Sequence, residues 1–349
     1  MFATAQAAII GLLLALCSPM TVGDELRDEQ APTEHQHILV VVGANGTAEY
    51  GAAFREWADR WETAAAAGDA RYHAIGLQDE PDDLQQFNRK LSEWSTIETT
   101  EPLWLVLIGH GTFDGRTARF NLDGPDLAAE DLAALLATST RPVAVIDCSS
   151  SSSPFINGIS GPGRAVVTAT KDGNEIQFAR FGGFLSEAIA GLDADVDRDG
   201  QTSLLEAWLF ASRRTAEFYE SEGRLATEHS LLEDSGDAKG SRAELFEGVR
   251  VKDNVKEPEK VDGRLARRWH LVRSSEERLL TAEERLRRDE LEQQLESLRS
   301  RKSELADDVY MDTLESILLP LAVLYDQASQ RSAPPASLAP EHDAAKAAN

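Results

Sequence analysis

Cysteine is scarce in this chain: two, Cys17 and Cys148, occur among 349 residues. So few thiols exclude a disulfide framework. Positive charge is also short, with 35 Lys and Arg against 60 Asp and Glu for a net charge of -25. A surface of that sign repels phosphate backbones and anionic headgroups, which excludes nucleic acid as the main partner. The apolar stretch at residues 3–17 is too short for a comfortable membrane span. No P-loop, dinucleotide fingerprint or Gly-x-Ser-x-Gly elbow is present. His73, His229 and His270 lack Cys or acidic partners at zinc-site spacing, so no zinc is expected.

What is there begins with residues 1–23, read as an export signal peptide with Thr21-Val22-Gly23 as the cleavage site. Its first residues carry no Lys or Arg, and the alternative is an uncleaved membrane anchor. Export places the protein in a periplasm or outside the cell. Residues 24–36 are polar and read as a flexible entry. Once residues 1–23 leave, Cys148 is the single thiol: buried and inert, intermolecular, or reactive.

From residue 37 the chain alternates. Apolar runs at 37–43, 72–77, 103–108, 143–146 and 163–170 read as buried strands, and helical patterns at 50–66, 80–94, 127–138 and 182–190 fall between them. The stretch from 111 to 126 reads as a Gly- and Asp-rich loop. Strand and helix in alternation predict a doubly wound, mainly parallel α/β sheet over 37–190. Tyr50, Phe54, Trp57 and Trp61 recur at helical spacing as core residues. A helical extension covers 191–249 and a charged linker 250–263. A helical hairpin over 264–327 opens its long helix on the capping box Thr281-Ala282-Glu283-Glu284. Leu291, Leu295, Leu298 and Leu305 trace its seam, which suits folding on itself, docking on the main domain, or self-association. Residues 328–349 read as a disordered tail.

Two of the apolar runs end on reactive side chains. Residues 103–108 run into Gly109-His110-Gly111, and 143–146 run into Asp147-Cys148. In open α/β sheets functional groups gather beyond the carboxyl ends of the strands. An imidazole and a thiol therefore arrive at one sheet edge, with the chemistry of a general base and a sulfur nucleophile. The segments Gly109-His110-Gly111-Thr112-Phe113-Asp114-Gly115 and Val145-Ile146-Asp147-Cys148-Ser149-Ser150 resemble the catalytic segments of the caspase- and legumain-like (C13) cysteine peptidases. That resemblance implies a cysteine endopeptidase of caspase/legumain-like fold acting on peptide or protein substrates. In it Cys148 is the nucleophile, His110 the base, and the Gly111 backbone an oxyanion donor, with Asp147 in support. The run Ser149 to Ser153 replaces the family's Cys-x-Ser-Gly, and a second register puts Ser149 at the nucleophile position. That register implies a catalytically inactive relative acting as a calcium-stabilised binding or scaffold protein. Gly43-Ala44-Asn45-Gly46 resembles legumain's turn after the first strand, which puts Glu49 where legumain has a supporting asparagine. Legumain's basic pocket residues become Gly51 and Ala52, so its asparagine preference is not implied.

Asp195-Val196-Asp197-Arg198-Asp199-Gly200, closing at Glu206, matches the EF-hand loop pattern. Alternating acids turn oxygens inward, glycine permits the bend, and the last Glu chelates from the following helix. Asp195, Asp197, Asp199, Gln201, Ser203 and Glu206 are the expected ligands of a structural Ca2+.

Overall fold

The computed structural model describes residues 35–78 and 82–332. The expected signal peptide, and most of the expected entry and tail, lie outside them. In chain order the elements are β1 (His37–Val42), α1 (Ala48–Ala67), β2 (Arg71–Ile75), α2 (Asp83–Ser95) and β3 (Leu103–Ile108). Three short strands follow, β4 (Gly111–Phe113), β5 (Ala118–Phe120) and β6 (Leu127–Ala128), then α3 (Ala129–Leu136) and β7 (Val143–Asp147). Next come α4 (Ile156–Ile159), β8 (Arg164–Thr168), α5 (Phe181–Ile189), α6 (Leu204–Ser221) and β9 (Leu231–Glu233). The hairpin helices are α7 (Ala282–Ser300) and α8 (Asp307–Ser332).

The main sheet has the order β2-β1-β3-β7-β8-β9. Its first five strands are parallel, and β9 runs antiparallel to β8. Every residue of β1, β3 and β7 is buried, as strands covered on both faces must be. The period of two divides them. Ile38, Val40, Trp104, Val106, Ala144 and Ile146 face the layer of α1, α5 and α6, while Leu39, Val41, Leu105, Val143 and Val145 face α2 and α3. The sheet edge is set by local chemistry. The Thr47 hydroxyl accepts the Tyr50 amide and starts α1, and the Ser203–Glu206 capping box starts α6.

Several expected boundaries shift. The 111–126 stretch is not a plain loop: it forms β4 and β5, part of a three-stranded antiparallel sheet that β6 completes. Strands of two and three residues are too short to show a period. The break at 190 does not end the α/β body, because β9 supplies the sixth strand and Leu204, Trp208 and Trp269 join the core under α1. Residues 250–263 are not a free linker. Val261 and Asp262 are buried, and the Asp262 carboxylate accepts from the Asp234, Ser235 and Ser241 amides. Gln36, expected in a flexible entry, is buried and bonds the Trp104 indole and the His270 carbonyl. Ala328, expected in the tail, is buried with Leu280 and Leu324.

The capping box at Thr281 is present, and the leucine seam is spent within the chain: Leu291, Leu295 and Leu298 pack against Ile317, with Leu314 and Leu321 beside them. Arg273 and Arg285 both pair with buried Glu101, at the start of β3, and so tie the hairpin to the sheet. Among the described residues no helix is long and apolar enough to cross a membrane.

Candidate functional site

His110 stands past the end of β3, half-buried, on the α1 side of the sheet. Its ring meets Tyr50 and Phe54 edge-on, each at 5.2 Å, and lies 6.2 Å from Phe178. Phe178 in turn stacks on Tyr50 at 4.4 Å. Burial in this aromatic surround lowers the imidazole pKa, with the Asn45 backbone opposing it, so the ring is neutral near pH 7. Gly46 permits the approach: with φ +65 it sits close enough that a Cβ there would lie 3.3 Å from His110 Nε2.

Cys148, the expected nucleophile, is packed into the core with 1% exposure. Gly182 of α5 closes over it, so that a Cβ at 182 would fall 2.9 Å from the sulfur. Burial, reinforced by the charges of Asp147 and Glu228, pushes the thiol pKa well above its ordinary value. A thiol in that state is protonated and not a nucleophile. Among the described residues no hydrogen bond joins the His110 ring to Cys148 or to Ser149.

Ser149 and Ser150, both buried, are the side chains that the fold brings against Gly111. A Cβ on Gly111 would lie 2.7 Å from Ser149 Oγ and 2.2 Å from the Ser150 carbonyl, so only glycine admits this contact. The Ser149 hydroxyl and amide both donate to Asp147 Oδ1, at 2.6 and 3.0 Å. Asp147 is fully buried, its Oδ2 has no hydrogen-bond partner, and burial raises its pKa to about 6 against the bonds from Ser149. The Gly111 amide, expected to face an oxyanion, donates instead to Ser150 Oγ, and Ser150 Oγ donates back to the Gly111 carbonyl. The Cys148 amide is taken by the Leu107 carbonyl. Three amides suited to an oxyanion hole are therefore already engaged. Glu49, expected in support, is exposed in the first turn of α1.

Sequence patterns gave no notice of Glu228, a buried carboxylate that caps α5. It accepts from the Arg180 and Phe181 amides at 2.8 and 3.0 Å and from the Tyr219 hydroxyl at 3.0 Å. Its role depends on α6 and the chain after it returning beside α5, which no local motif encodes.

In the acidic loop, Asp195, Asp197 and Asp199 each bring one carboxylate oxygen to within 4.8 Å of the others. Asp195 accepts the Arg198, Asp199 and Gly200 amides, and Gly200 takes φ +84. Glu206 closes on the loop by accepting the Val196 amide at 2.9 Å while completing its capping box with Ser203. The oxygen expected of Gln201 is its backbone carbonyl, which the bonds of its side chain leave aside; the side chains of Gln201 and Ser203 have partners of their own. Gln201 bonds Asp199 and Ser274, and the Ser203 hydroxyl serves as helix cap and pairs with Glu206. The donor set is hard oxygen throughout, which fits Ca2+ and not a soft metal. Burial, with Glu206 and Asp195, raises the Asp197 pKa; burial, with Asp197 and Glu206, takes Asp199 to about 6.

No protein-family model matches the chain, and no curated protein matches it. Caspases are among the similar solved structures. The structure of drICE is 8% identical and covers 60% of this chain and 92% of its own, at a TM-score of 0.38. The Drosophila initiator caspase Dronc is 15% identical over 60% of this chain and 82% of its own, also at 0.38. Caspase-1 from Spodoptera frugiperda is 11% identical over 57% and 86%, at 0.37. Likenesses of that degree carry no argument about chemistry.

Proposed function

We propose that this chain is an exported peptide-binding protein on a cysteine-peptidase-like framework, and that its cleft does not work through a thiolate. One observation carries the reading: Cys148 lies in the core beneath Gly182, and Ser149, equally buried against Gly111, holds its hydroxyl on Asp147, so neither side chain stands free as a nucleophile. The engaged amides of Gly111 and Cys148 support it, because a tetrahedral oxyanion finds neither donor free. A peptide across the carboxyl edge of the sheet retains the aromatic wall of Tyr50 and Phe178 and the neutral His110 ring as contacts.

One observation favours a second reading, hydrolysis by serine. The 2.6 Å bond from Ser149 Oγ to Asp147 orients a hydroxyl beside the His110 segment. In that chemistry Ser149 Oγ bonds to the scissile carbonyl carbon, His110 takes its proton, and the leaving amine receives it as the C–N bond breaks. Water then releases the acyl group. Ser149 must first exchange Asp147 for His110 as its partner.

The experiment treats the full chain with a peptidyl acyloxymethyl ketone, which reports thiolates, and a fluorophosphonate, which reports activated serines. Peptide binding is followed in parallel by fluorescence anisotropy. The binding reading expects neither probe to attach and peptide affinity to fall in His110→Ala. Attachment at Cys148 refutes it, and attachment at Ser149 establishes the second reading.

The 195–206 loop is proposed as a structural Ca2+ site held by Asp195, Asp197, Asp199 and Glu206. Three clustered carboxylates, two with raised pKa values, are relieved by a divalent cation. Bound there, the ion pins the start of α6, which packs along α5 and reaches Glu228 through Tyr219. Millimolar Ca2+ outside the cell keeps even a weak site filled.

A further inference from the structure

A cavity of about 530 Å3 lies along α6, outside the site described above. Its lower end is formed by Asp193, Ala194 and Val196, beside the acidic loop, and its upper end by Glu228, His229 and Ser230. The upper end reaches the carboxyl edge of the sheet, because Leu231, next in the chain, pairs with Thr168 at the end of β8. His229 Nδ1 contacts Glu175 at 2.5 Å, and the Glu175 carbonyl accepts the Ser151 amide, in the same serine run as Ser149. Glu175 therefore links the upper end of the cavity to the serine run that follows β7.

Its lining selects an occupant. Ala194, Val196, Phe210, Ala216 and Phe246 make apolar walls. The one lining guanidinium, Arg213, is drawn aside: it lies over the Phe210 ring and pairs with Glu217. Of the three lining carboxylates, Glu228 is filled by the α5 amides and Tyr219, which leaves Asp193 and Glu244, both exposed, at the rim. The Glu244 carboxylate pairs at the surface with Arg242, and the Glu244 carbonyl accepts from Lys252 Nζ at 2.8 Å. On the floor the Ser230 and Ser212 hydroxyls pair at 2.6 Å, and Ser212 donates to the Trp208 carbonyl, so Ser230 Oγ keeps acceptor capacity. Apolar walls with acceptors and negative charge at the opening fit an apolar body carrying a cationic head.

We infer that this cavity is an accessory docking site for a basic segment of a peptide, in which an apolar residue adjoins a lysine or arginine. The inference rests on the reading of the chain as a peptide-binding protein. The net charge of -25 adds a long-range attraction for such a segment.

The test titrates the full chain into Ala-Phe-Lys-Ala-amide carrying fluorescein on its N-terminal nitrogen, the lysine left free, and reads anisotropy. Saturable binding is expected, weakened about fivefold or more when norleucine replaces lysine, and weaker at high salt. Ala216→Trp, which fills the cavity, is expected to abolish it. The double variant Asp193→Asn with Glu244→Gln, confined to exposed side chains, keeps the test valid should the tryptophan disturb folding, and is expected to weaken binding to the same degree as norleucine. Binding lost in His110→Ala but indifferent to the cavity variants overturns the accessory site while leaving the cleft reading intact. Absence of binding up to about 1 mM peptide also overturns it.

Discussion

Asp147→Asn offers the sharpest test of how the site is built. The carboxyl is fully buried, and its pKa stands near 6 against 3.8 in its absence of burial. Because the folded pKa is the higher one, the native state holds the proton more tightly. The contribution of this group is fully present below pH 3.8 and is lost as pH rises through about 6. Between pH 4 and pH 7 the shift is worth about 2.5 kcal/mol of stability. Asparagine keeps the shape and an acceptor for the Ser149 amide and hydroxyl but carries no charge. The variant is therefore expected to gain about 2.5 kcal/mol on the wild type when the comparison moves from pH 4 to pH 7. Urea unfolding of both proteins at the two pH values measures this directly, and the difference between proteins cancels every other titrating group. If Asp147→Asn differs from wild type by the same amount at both pH values, the buried carboxylate bonded through one oxygen alone is refuted.

Four further outcomes follow from the packing. Cys148 resists iodoacetamide in the native protein and is alkylated on unfolding, and Cys148→Ser costs more than Cys148→Ala because a buried hydroxyl there lacks a partner; intact-mass analysis and melting curves check both. Gly111→Ala destabilises by about 1–3 kcal/mol, and Ser149→Gly does not restore it, since the nearest clash is with the Ser150 backbone carbonyl. Glu101→Gln removes the buried negative charge that Arg273 and Arg285 share and turns one of their two acceptor oxygens into a donor, costs about 3–5 kcal/mol, and exposes residues 264–281 to limited proteolysis. Calcium at about a hundred times its dissociation constant adds about 2.7 kcal/mol that a chelator removes and Asp197→Asn diminishes; an unchanged melting midpoint on chelation sinks the ion's structural role.

The apolar runs at 37–43, 103–108 and 143–146 announced strands covered on both faces, because only burial on two sides tolerates an unbroken hydrophobic segment. Thr281 and Ser203 announced helix starts through capping chemistry that acts within four residues. The acidic loop was readable for the same reason: its spacing is local. Arrival of His110 and the 147–149 segment at one sheet edge also followed from strand order alone. Local spacing did not reveal β4 and β5, β9, or the packing of 250–263, since each is held by partners more than a turn away in sequence.

The choice between Cys148 and Ser149 lay beyond the sequence for a physical reason. Ile108 and His110 share a side of the sheet, as Ile146 and Cys148 do, so alternation by itself puts the imidazole and the thiol on one face. What separates them is α5. Capped by Glu228, it lays Gly182 over the sulfur and against Trp57 of α1, while Gly111 leaves room for Ser149 and Ser150 beside it. The sequence determined which residues reach the edge of the sheet; the packing of a distant helix decided which of two neighbours stands there.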